Sequence, residues 1–194
     1  MITIIRGVID EPEVRLLSEA AQKLFDFYIE MNIVPESQLF GGKIVAALDR
    51  QHPRDLFDTW MMLNSKGLTD GIMRGFLFCL LNSNRPVQEI LHPILSDQQS
   101  ALNNHFRGMA GLAFSYEMFV NARDSLINLI NHSLSIEDKE MIIRFSEGRL
   151  VGKAVEWRHF LGVKWKLLNI EKLKESNPEK FNLQVKLLRE LFAS

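Results

Sequence analysis

Apolar positions along most of this chain recur every three or four residues, the spacing of an α-helix that buries one face. From Glu11, with Pro12 suited to a first helical turn, Val14, Leu17, Ala21, Leu24, Phe25 and Tyr28 form such a stripe, which residues 31–35 interrupt. A second helix is predicted over about 36–49. A third begins at Pro53, where a proline needs no N–H partner and nearby aspartates suit the positive end of the helix dipole. It carries Leu56, Phe57, Trp60, Met61 and Leu63 and ends near 64–67. Thr69 or Asp70 caps the next helix, which runs to Leu81 and gives way to a loop at Asn84-Arg85-Pro86. Weaker helices follow at 87–91 and 97–107, then a glycine-containing linker, R-G-M-A-G-L. Ser115 caps a strong helix to about Asn131, and Ser135 with Asp138 is a loose capping box for a helix that stops by Gly148. After a polar join containing Trp157, residues 165–174 and 178–191 read as charged amphipathic helices.

The first nine residues break the pattern. M-I-T-I-I-R-G-V-I is β-branched and apolar on both faces, so 1–9 reads as a buried strand, and no other segment reads as its partner. The expected fold class is therefore mainly α: a multi-helix, bundle-like domain over 10–194, preceded by one short N-terminal β-strand. An unpaired apolar strand predicts pairing at residues 2–9, either with a second copy of the chain or with a covering element.

Composition changes this picture little. The chain has 194 residues, 46% apolar and 24% charged, as for one ordinary domain with a real core. Its 23 basic and 24 acidic residues give a net charge of −1, which argues against a surface that coats itself with nucleic acid but leaves room for a local basic patch. Cys79 is the single cysteine, which excludes an intrachain disulfide or a cysteine zinc site; in F-L-F-C-L-L it reads as a small buried hydrophobe. No stretch approaches the roughly 20 apolar residues of a membrane span. The N-terminus lacks the basic region and cleavage site of a signal peptide, so a cytoplasmic protein with no membrane partner is expected.

Candidate chemistry gathers in residues 40–58, F-G-G-K-I-V-A-A-L-D-R-Q-H-P-R-D-L-F-D. Lys43 sits on a helix beside Gly41, Gly42, Ala46 and Ala47, small residues that let a ligand or another helix come close. Taken alone, the glycines favour helix packing, with Lys43 reaching out to solvent. Arg50 and Arg54 flank the break, and Asp55 and Asp58 lie three apart on one face of the next helix. Two such carboxylates repel unless a cation, Mg²⁺ or an arginine, lies beside them. Arg54 would pair with Asp49 or with a phosphate oxygen. A salt-bridged corner, with Asp55 accepting backbone N–H bonds and Arg50 bridging to Asp58, explains the same spacing equally well. His52 has no ligand partner at metal spacing and reads as a loop residue, and His92, His105, His132 and His159 are scattered singly. The run Lys164, Trp165, Lys166, Lys172, Lys174 and Lys180 carries interleaved glutamates, so a solvated helix face explains it better than an RNA-binding surface.

With these residues in place, the segment 40–58 resembles the AbiEii-type nucleotidyltransferases, toxin-side proteins of bacterial toxin–antitoxin and abortive-infection systems. The likeness extends to R-G-V-I, L-S-E-A-A-Q-K-L-F-D, N-S-N-R-P and V-K-W-K-L-L-N-I-E-K-L-K-E-S-N-P-E-K, and so to nearly the whole chain. The resemblance implies a two-lobed enzyme. An α/β lobe with a Gly-Ser turn and spaced aspartates holds metal and triphosphate, and a helical lobe supplies a lysine and an aspartate. Those two fall on Lys43 and Asp55 as catalytic residues, with Lys43, Arg50 and Arg54 toward the nucleotide and Asp55 and Asp58 toward the metal. Mg²⁺ and an NTP are the implied cofactor and substrate, an RNA the implied acceptor, and a cognate antitoxin the implied partner.

This sequence departs from the pattern in one respect: no Gly-Ser turn with a D-x-D-like pair precedes Lys43. The expectation is therefore a helical part of such an enzyme. The strand at 1–9 would be left over from the missing lobe, the truncated chain would be inactive alone, and the gene would be shortened, internally started or split. The alternative is a non-catalytic helical module that binds a nucleotide, an antitoxin or its own copy.

Overall fold

A computed structural model describes residues 7–106 and 108–193. Its centre is the helix α4 (Asp70–Leu81), where Ile72, Met73 and the run from Gly75 to Leu81 are buried. A helix that is apolar all round has no face to give to solvent, so its neighbours must surround it. The helix α2 (Glu36–Arg50) lies along it, burying Ile44, Val45, Ala47 and Leu48. The two backbones meet at glycines. A Cβ on Gly41 would overlap the Gly75 carbonyl carbon and the Phe76 nitrogen, and one on Gly75 would overlap the Ser37 carbonyl. Gly41, two residues ahead of Lys43, therefore serves helix packing.

The helix α3 (Pro53–Lys66) turns off the end of α2 and packs its Leu56, Thr59 and Met62 inward. Then come α5 (Val87–Leu91), the single turn α6 (Gln99–Ala101) with a π-helix at Leu102–Phe106, and α7 (Tyr116–Ser133). The weak helix expected over 97–107 is thus a short turn that widens into a π-helix. The helices α8 (Ile136–Ser146), α9 (Leu161–Ser176) and α10 (Pro178–Ala193) complete the chain. The predicted caps hold: Thr69 accepts from Ile72 N, Ser115 from Met118 N, and Ser135 with Asp138 forms a full capping box. Cys79 is buried. No helix among the described residues is long and apolar enough to cross a membrane.

The mainly helical architecture agrees with the sequence pattern, but the N-terminal region differs in detail. Of the strand expected at 1–9, residues 1–6 lie outside the described residues and 7–9 are not in a strand. Among the described residues the strands are β1 (Glu13–Leu16) and β2 (Glu30–Ile33), an antiparallel pair with Glu13 opposite Ile33 and Leu16 opposite Glu30. Between them lies the helix α1 (Glu19–Phe25), so the long helix expected from Glu11 is realised only in its middle. Ser18 caps α1 by accepting from Ala21 N at 3.3 Å, and Asp26 ends it in the left-handed region at φ 53°. A cap at Ser18 releases the preceding alternation E-V-R-L to pair as a strand, a competition that periodicity alone does not resolve.

The join around Trp157 is a second correction. It forms a 3₁₀-helix, Gly152–His159, and Trp157 is 1% exposed, with its ring edge-on to Phe78 at 5.5 Å between centroids. A tryptophan among polar residues anchors this join to the core.

Candidate functional site

The α2–α3 corner brings together every residue singled out in the segment 40–58, but pairs them differently from either arrangement expected. The Lys43 ammonium donates to Asp58 Oδ2 at 2.5 Å, and Arg50 Nη2 lies 2.9 Å from Asp55 Oδ2. Each carboxylate of α3 thus meets its own cation from α2. The Arg50–Asp58 bridge is replaced by these two pairs because α3 leaves the corner with Asp55 near the end of α2 and Asp58 one turn back toward Lys43. The pairing of Arg54 with Asp49 does not form: Asp49 Oδ1 accepts from Arg85 at 3.0 Å, and Arg54 Nη2 points to Met109 Sδ at 3.2 Å. His52, expected in a loop, is the N-cap of α3, its Nδ1 accepting from Arg54 N at 3.3 Å.

Both ion pairs face solvent in part. Lys43 and Asp58 are 33% and 36% exposed, whereas Asp55 is 15% exposed beneath an open Arg50. Along this part-exposed rim Lys43 and Arg50 are tied to carboxylates, and Arg54, in the first turn of α3, reaches toward Met109. Such a rim can exchange carboxylate partners for phosphate oxygens, since the guanidinium and ammonium donors suit either anion. A metal fits less readily. Asp55 and Asp58 are each neutralised already, and no group of three or more His, Cys, Asp or Glu among the described residues is placed to hold an ion.

Two residues that the sequence reading passed over build this corner. Gln51 takes the left-handed conformation at φ 51°, which lets the chain turn between α2 and His52. Its buried amide donates to Ile94 O at 2.8 Å and accepts from Ser96 N at 3.1 Å, fastening the 92–98 loop to the corner. Arg123, 7% exposed on α7, donates to Ser96 O at 3.0 Å from the other side. A polar residue between a helix end and an N-cap–proline pair was the available signal for Gln51. For Arg123 the signal was its spacing: it lies in the apolar stripe with Phe119, Leu126 and Ile130, a charge on the inward face of its helix. In the basic C-terminal run, Lys166 is buried and donates to the Ser83 and Arg85 carbonyls beyond the end of α4. It is part of the core, not of a solvated face.

The family model for the nucleotidyl transferase AbiEii toxin of type IV toxin–antitoxin systems matches residues 3–137. The chain belongs to the AbiEii family. The match takes in the α2–α3 corner and ends in the first turn of α8, so α9 and α10, which include the C-terminal part of the sequence likeness, lie beyond it. AbiEii proteins are nucleotidyltransferases on the toxin side of their system, which implies a cognate antitoxin. No curated protein and no solved structure matches the chain.

Proposed function

We propose that this chain is the helical part of an AbiEii nucleotidyltransferase and that its α2–α3 corner is the phosphate-facing half of the active site. The observation that carries this reading is the pairing of Lys43 with Asp58 and of Arg50 with Asp55 on a part-exposed rim, with Arg54 beside them. On binding an NTP, Lys43 releases Asp58 and neutralises charge that develops on the transferred phosphate, a role for a cation fixed before the reaction begins. Arg50 and Arg54 orient the remaining phosphates, and Asp55, freed from Arg50, is the group positioned to take a proton from the acceptor hydroxyl. Mg²⁺, bound with the NTP, supplies neutralisation of the phosphate oxygens. Asp55 and Asp58 are the residues that would hold it, once Arg50 and Lys43 had turned from them to the phosphates. The acceptor in this reading is an RNA, the setting is the cytoplasm, and the 194 residues alone do not turn over, because no Gly-Ser turn with a D-x-D pair is present in them.

Calorimetric titration with NTPs and Mg²⁺, on the wild-type chain and on a Lys43→Ala, Asp55→Ala double variant, tests the corner. Binding that the double variant loses supports a surviving half-site. Equal binding by both proteins, or none by either, removes it.

A second reading has its own observation. Around β1, α1 and β2, Val14, Leu16, Leu24, Phe25, Phe27 and Tyr28 are each more than half exposed, and α1 has no buried residue. An apolar surface of this kind marks a protein contact. It favours an interaction module that takes an antitoxin, a further lobe or a second copy. Retained NTP binding would make the two readings compatible.

A further inference from the structure

We infer that the cleft where α5, α8, α9 and α10 meet is a site for a single phosphate group. Its volume is about 130 Å³. Whole small-molecule sites span about 300–1,000 Å³, so this cleft takes one small group and not a complete ligand. Four amides, Asn84, Gln88, Asn169 and Gln184, line it together with the Ser146 hydroxyl. Two lysines line it as well, Lys166 from α9 and Lys180 from α10, and no carboxylate among the described residues does.

The two lysines differ in freedom. Lys166 is 8% exposed, and its ammonium donates to the Ser83 carbonyl at 2.7 Å and to that of Arg85, the two residues that flank Asn84. Backbone carbonyls thus fix this charge in the wall, where it acts on the cleft through its field. Lys180 is exposed, and among the described residues its ammonium makes no hydrogen bond or ion pair. It is the cation that can close directly on an anion. The four amides and the Ser146 hydroxyl also make no side-chain hydrogen bond among the described residues. Their N–H and O–H groups are therefore available to the anion's remaining oxygens. Donors that arrive from several elements surround a ligand, which suits the tetrahedral oxygens of a phosphate better than the planar pair of a carboxylate. Glu89 and Glu147, next in the chain to Gln88 and Ser146, pair with Arg85 and with Arg149 and Arg189. Glu179, beside Lys180, does not line the cleft.

The cleft opens into a larger groove of about 550 Å³ between α5 and α10, and the two share Gln88, Lys180 and Gln184. A phosphate carried on an organic body has room for that body there. The phosphate is either the free ion or the terminal group of a nucleotide. The cleft shares no residue with the α2–α3 corner, so it stands or falls apart from the reading of that corner. Its α9 and α10 walls lie beyond the residues that match the AbiEii family, so family membership does not supply it.

The test is calorimetry with inorganic phosphate and with AMP, at constant ionic strength so that screening does not change between titrations. The proteins are the wild-type chain and its Lys180→Gln, Lys180→Arg, Asn169→Leu and Lys43→Ala variants, each checked for an unchanged unfolding temperature. Inorganic phosphate is expected to bind at millimolar concentration. Lys180→Gln and Asn169→Leu should each weaken it about tenfold, the loss of one charge-assisted hydrogen bond. Lys180→Arg should retain binding, and Lys43→Ala, in the corner, should leave it unchanged. AMP that binds more tightly than phosphate makes the source a nucleotide with its body in the groove; equal affinity makes it the free ion. No phosphate binding at millimolar concentration, or binding that survives both Lys180→Gln and Asn169→Leu, overturns the assignment. Phosphate binding that Lys43→Ala removes also overturns it, and places the anion at the corner instead.

Discussion

Gly41 and Gly42 adjoin each other and precede the same lysine, yet the fold assigns them opposite sensitivities. Replacing Gly41 with alanine puts a methyl group into the Gly75 carbonyl carbon and the Phe76 nitrogen of α4. These are backbone atoms of a buried helix and cannot swing aside, so α2 and α4 must separate. Overpacking costs about 1–3 kcal/mol and occasionally more, and an immovable obstacle places this case at the upper end. Alanine recovers about 1 kcal/mol of helix propensity over glycine. The expected net loss is about 2 kcal/mol, or roughly 4–8 °C in Tm at about 2–4 °C per kcal/mol for a chain of this length. At Gly42 the nearest obstacle is Cys79 Sγ at 3.5 Å, an ordinary contact. Gly42→Ala therefore gains the propensity alone, up to about 1 kcal/mol, and Tm rises. Thermal and urea unfolding followed by circular dichroism at 222 nm reads both. If the two variants shift in the same direction, or Gly41→Ala stays within about 0.5 kcal/mol of wild type, the close crossing of α2 and α4 is wrong.

Three further outcomes follow from the same contacts. Trp157→Ala empties a fully buried ring site against Phe78 and should cost about 3–5 kcal/mol, measured by urea denaturation. Lys43→Met should change stability by no more than about 1 kcal/mol, because its pair with Asp58 is about one-third exposed, while abolishing NTP binding; a large stability loss would make the pair structural. Glu147 ties α8 to α10 through Arg189 and also accepts from Arg149. Burial alone would push its carboxyl up, but the hydrogen bonds from Arg149 and Arg189 outweigh that and hold it below the 4.5 of a free glutamate. Its stabilisation is then complete above about pH 4.5 and is lost as pH falls through the lowered folded value. Unfolding midpoints of wild type and Glu147→Gln between pH 3 and 6 should converge on the acid side; a constant gap would show that the carboxylate is not the origin.

The sequence determined the helices with strong local signals, and it located the corner. Thr69, Ser115 and Ser135 cap helices because an oxygen placed two or three residues ahead of free N–H groups satisfies them wherever the helix sits. The F-L-F-C-L-L run marked Cys79 as a small buried hydrophobe, since nothing apolar on every side can remain at a surface. Where two local preferences competed, the sequence did not decide. Residues 13–33 hold a helical stripe, a serine cap and short alternating runs together, and only the pairing of Glu13–Leu16 with Glu30–Ile33 shows which prevailed.

Tertiary structure alone decided who pairs with whom. Residues 43, 50, 55 and 58 carry the same charges in any arrangement, and spacing fits Arg50 to Asp58 as well as to Asp55. The angle at which α3 leaves α2 makes the choice, and that angle depends on Gln51 in a left-handed turn held by the 92–98 loop and Arg123. The sequence favoured helix packing for Gly41 but could not name the partner: Gly75, 34 positions along the chain, fills the space it opens. Lys166 is the extreme case, a lysine in a basic run whose ammonium ends in the core because carbonyls beyond the end of α4 are there to receive it. Local preferences act over a few residues and can be read in order along the chain. Charge partners and close backbone approaches join distant residues, so they exist only once the helices have packed.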